Sequence, residues 1–365
     1  MPPLRVAVVG TGAFGRNHLR VYRELELAHP DLVQLVALVD PVAERRSTYA
    51  ATYNIPAFAD VAELLAANLA LDAASICVPT THHAEVAEQL LLAGLDLLIE
   101  KPFAATLAQA DHILDLAKEH ARIVAIGHLE RFNPAVTATL AALNHPMFFE
   151  SHRLSVFTPR SLDVDVVLDL MIHDLDIVLS LTNSPVREVR AVGLPILSHK
   201  TDIANVRVEF ESGCVANFTA SRVSTEQVRK LRLFQPSQYL SLDFARQELL
   251  TISVDPAVVA AAIAAASTPK VSPTVAATPA TGSSPLPAPT AAAPTHPDHP
   301  TAGLSLTVAD IPRGEPLRLE LEDFLNAVQT RTQPRVPAEA GREALALALT
   351  INDQIAAHAH RAGLL

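Results

Sequence analysis

The sequence is poor in the residues that cross-link small domains or hold metal ions. It has two cysteines, Cys77 and Cys214, no tryptophan, and only 4% aromatic residues in a chain of 365. Two cysteines give neither a disulfide framework nor the ligand spacing of a zinc site. Because Cys77 lies inside an apolar stretch, we expect a buried, reduced thiol there and no metal site in the protein.

Positive charge and long hydrophobic runs are also scarce. With 28 Lys and Arg against 39 Asp and Glu, the formal net charge is -11, which argues against nucleic acid or an anionic membrane as the main partner. The longest apolar run, residues 257–266, is too short and too alanine-rich to cross a bilayer. The chain begins with a strand pattern, so we predict a cytoplasmic protein without a signal peptide.

What is present is enough apolar sequence, 49% of the residues, for two domains with sizeable cores. Strands and helices alternate first, which predicts a Rossmann domain with a doubly wound parallel sheet over residues 1–125. Short alternating strands follow from residue 186, and we predict an α+β domain, residues 126–365, built on an open, mostly antiparallel sheet. Residues 268–301 are rich in Pro, Ala and Thr, which predicts a disordered insertion between two strands.

A glycine-rich loop joins the first predicted strand, residues 4–9, to the first predicted helix, residues 16–27. It reads Gly10-Thr11-Gly12-Ala13-Phe14-Gly15, and this strand–loop–helix context is what the G-x-G-x-x-G spacing requires. In such loops the first glycine permits the turn, the second admits a pyrophosphate, and the third allows close helix–strand packing. The helix N-terminus then offers N–H groups to the phosphates, so all six residues are predicted to bind a dinucleotide.

Asp40 ends the second predicted strand and sets the expected cofactor. A carboxylate at this position accepts hydrogen bonds from ribose hydroxyls and repels a 2′-phosphate. NAD is therefore the predicted cofactor, while the nearby Arg45 and Arg46 leave some binding of NADP open.

Further polar residues follow later strands of the predicted parallel sheet, where open α/β sheets bind their ligands. His82 and His83 follow one strand, and either could equally cap the next helix. A lysine in an isolated Glu-Lys-Pro is more often a surface residue than a catalytic one. In this context we assign to the cofactor site Pro79, Thr80, His83, Glu100 and Lys101.

The segment from Asp163 to residue 178 places acidic and imidazole groups among Val, Leu, Met and Ile. Read as a helix, it puts Asp169 and His173 four residues apart on one face. Such groups are costly to bury without a purpose, and a carboxylate one turn away can fix the tautomer of a histidine that acts as a general base. A metal site and a helix end with polar caps are the alternatives.

Together these motifs resemble the Gfo/Idh/MocA oxidoreductases over roughly residues 4–250 and 303–365. Besides the glycine loop and Asp40, the matching positions are His18, Pro79 with His83, Glu100-Lys101-Pro102, and Asp169 with His173. The resemblance implies a homodimer or homotetramer. It also implies that Lys101 contacts the reacting hydroxyl, His173 takes its proton, and Asp169 orients the substrate and His173 while hydride passes to nicotinamide.

Residues 127–134 and 160–174 resemble a branch of this family that oxidises the 3-hydroxyl of UDP-N-acetylglucosamine, in lipid A precursor synthesis, for a partner aminotransferase. Besides the three catalytic residues, the predicted substrate contacts are Arg131, Asn133, His152, Arg153 and Arg160, the last three as cations for the diphosphate. Val166 and Val167, where glycines are common in the family, and the insertion depart from the pattern. A dehydrogenase of another sugar or polyol, such as inositol, and a non-catalytic NAD-sensing regulator are the alternatives.

Overall fold

The computed structural model describes residues 2–157, 164–258, 260 and 303–363. Its first part is a six-stranded, fully parallel sheet in the order β3-β2-β1-β4-β5-β6. The strands are Leu4–Val9, Val33–Val39, Ala57–Phe58, Ala73–Ile76, Asp96–Glu100 and Val124–Gly127. The intervening helices α1 to α5 are Gly15–Ala28, Ala43–Tyr53, Val61–Ala66, His83–Leu92 and Leu107–Glu119. This strand order confirms the predicted Rossmann domain.

The second part is an eight-stranded sheet in the order β14-β13-β12-β11-β7-β10-β9-β8. Its strands β7 to β14 are Phe148–Val156, Val186–Leu194, Ile203–Phe210, Val215–Ser224, Val228–Gln235, Gln238–Asp243, Glu248–Val254 and Leu304–Val308. Every neighbouring pair is antiparallel except β7 and β10, which confirms the open, mostly antiparallel sheet. Helices α6 to α9 are Pro134–Leu140, Ile172–Thr182, Pro316–Thr330 and Ala338–Arg361.

The late helix α8 returns to the first sheet. Its Leu321 and Phe324 are buried in one core with Leu19 and Tyr22 of α1 and with Leu98 of β5. The division predicted after residue 125 therefore falls inside β6 and assigns α8 to the second domain, although α8 completes the core of the first. The order of the sequence does not reveal this packing, because the chain crosses back after building the second sheet.

Two expectations concern segments outside the described residues: the insertion 268–301 and the side chain of Arg160. The strands that flank the insertion, β13 and β14, pair directly with each other. Among the helices that the structure describes, none combines the length and apolar character needed to cross a membrane.

Candidate functional site

The glycine loop turns tightly between β1 and α1. Gly10 has φ of +88°, and a Cβ there would lie 2.8 Å from the backbone of Cys77 and Val78. A Cβ on Gly15 would come within 1.9 Å of the Gly10 carbonyl oxygen, whereas one on Gly12 would meet only the Arg45 side chain, at 3.8 Å. The fold therefore requires glycine at positions 10 and 15, whereas Gly12 leaves the space beside its backbone free of other protein atoms except the Arg45 side chain.

A cavity of about 960 Å³ lies in front of this loop. Five predicted residues line it: Gly10, Gly12, Ala13, Asp40 and Pro79. It is also lined by residues that were not assigned to the site, including Arg45, His82, Glu85 and Gln89. An open Gly12 beside the first turn of α1 fits a pyrophosphate, so these residues suit a bound dinucleotide.

Asp40 is held against the glycine loop. Its Oδ2 accepts hydrogen bonds from the Thr11 N–H at 2.8 Å and the Thr11 hydroxyl at 2.7 Å, and its Oδ1 accepts one from the Val42 N–H. Burial opposes ionisation, but these hydrogen bonds outweigh it and lower the pKa of Asp40. The carboxylate is thus charged at neutral pH, while the Arg45 guanidinium stands 3.4 Å from Oδ2.

The remaining residues assigned to the cofactor do not line this cavity: Thr11, Phe14, Gly15, Thr80, His83, Glu100 and Lys101. His83 is buried, with Nδ1 3.0 Å from the Pro102 carbonyl oxygen and Nε2 3.0 Å from that of Val78. Glu100 points to α1, where its Oε1 lies 3.0 Å from His18 Nε2. His83 thus contacts the backbone of the Lys101-Pro102 turn, and the neighbouring His82 lines the cavity instead.

Matched alanine variants should separate the roles of two glycines. Gly12→Ala should leave the thermal midpoint of the apoprotein nearly unchanged. It should weaken NAD binding at least about tenfold, because the added methyl group meets the pyrophosphate rather than the protein. Gly15→Ala should destabilise the apoprotein itself, because its methyl overlaps the Gly10 carbonyl. Calorimetric titration with NAD and thermal denaturation measure the two effects; equal affinity in Gly12→Ala and wild type would contradict this assignment.

Lys101 follows β5 and reaches the segment before α7. Its Nζ donates to the Asp169 carbonyl oxygen at 2.7 Å and lies 3.6 Å from Asp169 Oδ1. Asp169 belongs to a π-helical turn, Val167–Met171, a local distortion common at functional sites. The side chain of Asp165 begins this turn by accepting from the N–H groups of Val167 and Leu168. Burial lowers the pKa of Lys101, although the charge of Asp169 opposes the shift.

His173 opens α7 one turn later. Burial, followed by the positive charges of Lys101 and Arg153, lowers its pKa well below the usual value. The ring is therefore neutral at pH 7 and able to accept a proton. Among the described residues its Nδ1 has no hydrogen-bond partner, so the expected contact with Asp169 is not made and Asp169 holds Lys101 instead. The His173 ring faces that of His128, with centroids 6.3 Å apart.

Several predicted substrate contacts are occupied within the protein. Arg153 is buried between Asp174, which it contacts through two hydrogen bonds, and Glu130. The guanidinium of Arg131 likewise pairs with Asp176.

The side-chain amide of Asn133 donates to Glu130 and to the Phe244 carbonyl oxygen. Its Oδ1 accepts a hydrogen bond from the Ala135 N–H at the start of α6. His152 alternates with Arg153 along β7 and therefore lies on the other sheet face, within 3.5 Å of Arg232. Arg153 and His152 therefore point to opposite faces of the sheet, because adjacent strand residues point apart, and their assignment to the diphosphate stays a prediction.

Sequence reasoning missed Arg229 on β11. It pairs directly with Arg153 of β7, so the two side chains share the sheet face that carries the site. Arg229 is exposed, and its charge reaches His173, whose pKa it lowers. The strand register could have identified this residue only if the partner strand had been known.

Within the described ranges no group of three or more His, Cys, Asp or Glu side chains could hold a metal ion. Lys101 follows β5 at the same edge of the parallel sheet as the cavity residues that follow β1 and β4. A dinucleotide cavity, a lysine and a neutral histidine suit removal of a proton and a hydride from an alcohol.

Comparison with known proteins agrees with this chemistry. Residues 4–128 match the oxidoreductase family with an NAD-binding Rossmann fold, and residues 136–234 match the GFO/IDH/MocA C-terminal domain. The chain belongs to the Gfo/Idh/MocA family. The predicted family is confirmed, and with it an oxidoreductase that acts on CH–OH groups with NAD as its cofactor.

Relatives within the Gfo/Idh/MocA family include sugar and polyol dehydrogenases. UDP-N-acetylglucosamine 3-dehydrogenase of Acidithiobacillus ferrooxidans is 34% identical over 359 residues, which cover 98% of this chain and 99% of that protein. Its solved structure superposes with a TM-score of 0.80 over 98% of this chain and 99% of that one. Inositol 2-dehydrogenase of Acidothermus cellulolyticus is 26% identical over 196 residues, 52% and 56% of the two chains. This Gfo/Idh/MocA protein is therefore an NAD-binding sugar dehydrogenase.

The Gfo/Idh/MocA site also has a buried acid behind it. Glu320 of α8 is 2% exposed, and neither carboxyl oxygen has a hydrogen-bond partner among the described residues. Burial and then the charge of Glu100 raise its pKa well above the usual value. Glu320 therefore keeps its proton to a higher pH than an ordinary glutamic acid does.

The charge state of Glu320 predicts a pH-dependent stability. The folded protein keeps this proton and the unfolded chain loses it above about pH 4.5, so stability falls with rising pH by up to about 1.4 kcal/mol per unit until the folded pKa is reached. Glu320→Gln should remove this dependence and gain stability over wild type between pH 5.5 and 7.5, as measured by urea unfolding. The control Glu322→Gln, on the half-exposed side of α8, should run parallel to wild type. A parallel curve for Glu320→Gln would contradict the raised pKa of Glu320.

Proposed function

We propose that this enzyme oxidises the 3-hydroxyl of a UDP-sugar, UDP-N-acetylglucosamine, to the 3-keto form, with reduction of NAD. The observation that carries the proposal is the 34% identity to UDP-N-acetylglucosamine 3-dehydrogenase, which extends over nearly the full length of both chains. The adjacent dinucleotide cavity and the cluster of Lys101, Asp169 and His173 support it with groups suited to the reaction.

Lys101 and His173 have separate roles in the proposed reaction. Bound NAD supplies the acceptor for the hydride that leaves the substrate C3. Lys101 donates a hydrogen bond to the 3-hydroxyl oxygen and stabilises the negative charge that develops there. His173, neutral because burial lowers its pKa, accepts the hydroxyl proton at Nε2. The alcohol thus loses one hydride and one proton and becomes a ketone.

Asp169 keeps Lys101 in this role. Its carbonyl oxygen already accepts from Nζ at 2.7 Å, and its carboxylate lies 3.6 Å from the same atom. These contacts favour the charged form of a partly buried ammonium and leave its other N–H groups for the substrate.

Arg229 is our candidate for contacting the diphosphate. It is exposed and lies on the sheet face that carries the site, and a guanidinium binds phosphate oxygens in a bidentate manner. Arg229→Ala should raise KM for the UDP-sugar about tenfold or more, with a smaller change in kcat, in steady-state assays. Arg232→Ala, on the opposite face, is the matched control; equal KM values in the two variants would contradict the role of Arg229.

The reaction's setting is part of the same proposal. A 3-keto sugar is a substrate for an aminotransferase, which agrees with a cytoplasmic step of lipid A precursor synthesis.

We also propose a homodimer or homotetramer formed through the open face of the second sheet. A row of apolar side chains crosses that face through Phe148, Phe234 and Tyr239, with ring centroids 5.4 and 5.0 Å apart, and continues to Leu306, which is 65% exposed. Sedimentation equilibrium measures the assembly.

The substrate is tested by mixing the purified enzyme with NAD and one sugar at a time and following NADH absorbance. UDP-N-acetylglucosamine should give NADH and a product that reacts with carbonyl reagents. Turnover of myo-inositol or free N-acetylglucosamine without turnover of the UDP-sugar would overturn the substrate assignment and favour a polyol or free-sugar dehydrogenase, in agreement with the inositol 2-dehydrogenase relative.

A further inference from the structure

His128 is a second histidine at the site that the proposed chemistry does not use. It follows β6, at the same sheet edge as Lys101, and is 1% exposed. Both of its ring nitrogens are buried without a hydrogen-bond partner among the described residues. A buried polar atom without a partner costs about 1–3 kcal/mol, so two on one ring indicate a contact made by the working enzyme.

The charged groups around His128 already have partners. Those that influence its ring come from β5, from the turn Leu129–Phe132 and from α7: Glu100, Lys101, Arg131, Asp176 and His173. Glu100 pairs with His18, Lys101 with Asp169, and Arg131 with Asp176. Burial lowers the pKa of His128, so its ring is neutral and carries one acceptor nitrogen.

Of the described buried atoms without a hydrogen-bond partner, His173 Nδ1 is the one on the ring that packs against His128. The two rings meet edge to face at 90°, with centroids 6.3 Å apart. A direct N–H···N bond would bring the centroids to about 5 Å, so a small closure or one bridging water joins them. Catalytic hydrogen bonds often reach their working length only when substrate is bound.

We propose that His128 positions His173 by accepting its Nδ1–H, directly or through one water molecule, so that the Nε2 lone pair faces the substrate hydroxyl. The inference rests on the proposed function for the role of His173 as base. It gives His128 the orienting task that Asp169, occupied with Lys101, does not perform. His128 itself touches neither substrate nor proton in transit.

The test compares His128→Phe, which keeps a ring without an acceptor, with His128→Gln, which keeps an acceptor. The Phe variant should lose about 10- to 100-fold in kcat, part of what a positioned base supplies, with little change in KM. The acid limb of the pH profile of kcat should move to lower pH in this variant, because the imidazolium of His173 loses its hydrogen-bond acceptor. The Gln variant should retain the wild-type limb and most of kcat. An unchanged limb in His128→Phe would overturn the proposal, since a purely structural role does not move it.

A second readout does not depend on the substrate. In a ¹⁵N–¹H spectrum, with His173 assigned through His173→Asn, wild type should show His173 protonated at Nδ1, and the Phe variant should show a mixture of tautomers. A wild-type ring protonated at Nε2 would refute the positioning role even if the UDP-sugar is turned over. If only another sugar is turned over, the proposed substrate fails and the tautomer still decides the role of His128. Should His128→Phe not fold, His128→Leu replaces it in both measurements.

Discussion

Lys101→Met is expected to lower kcat by roughly 10²- to 10⁴-fold. Methionine keeps the length of the side chain but removes the Nζ that donates to the Asp169 carbonyl and, in the proposed reaction, to the substrate hydroxyl. NAD binding should change little, because Lys101 does not line the dinucleotide cavity. Steady-state NADH production and calorimetric titration with NAD measure the two quantities.

Lys118→Met is the matched control, since Lys118 is an exposed lysine on α5. It should retain the wild-type kcat. A Lys101→Met enzyme with comparable activity would remove this lysine from the chemistry. A large loss of NAD affinity would instead place it at the cofactor.

Arg153→Met should lower the free energy of unfolding by about 3–5 kcal/mol. The guanidinium is 5% exposed, donates to both oxygens of Asp174 at 2.8 Å and to Glu130 at 3.0 Å, and lies over the Phe244 ring. Its removal leaves two buried carboxylates without a countercharge. Urea unfolding at neutral pH measures the loss.

Two comparisons separate this ion pair from a surface one. Arg232→Met breaks the half-exposed contact with Glu150 and should cost about 1 kcal/mol or less. Adding Asp174→Asn to Arg153→Met should recover part of the loss, because it removes one of the stranded charges. Equal effects of Arg153→Met and Arg232→Met would show that the buried network contributes no more than the surface pair.

Local sequence patterns predicted the parts of the fold that depend on local chemistry. The strand 4–9 and its glycine loop were predictable because Gly10 and Gly15 meet backbone atoms that any such turn brings close. The helical spacing predicted that Asp169 and His173 share a face, and the family resemblance grouped both with Lys101. Neither predicted the π-helical turn, whose register places the Asp169 carbonyl against the lysine.

Features set by distant packing were not predictable in this way. The choice between His82 and His83 depends on how the Lys101-Pro102 turn lies over α4, which a motif does not encode. The roles of Arg153 and Arg229 depend on which strands pair with β7 and β11. Glu320 looks like one of several surface acids in an amphipathic helix, and only the return of α8 to the first sheet buries it.

The return of α8 also dictates how the protein can be divided and synthesised. A fragment ending near residue 125 would expose the side of β1 and β5 that Leu321 and Phe324 cover, so it would be expected to aggregate rather than fold. During translation, more than 180 further residues must be synthesised after the first sheet before α8 can complete this core. The nucleotide-binding half is therefore expected to complete its core only after α8 has been synthesised.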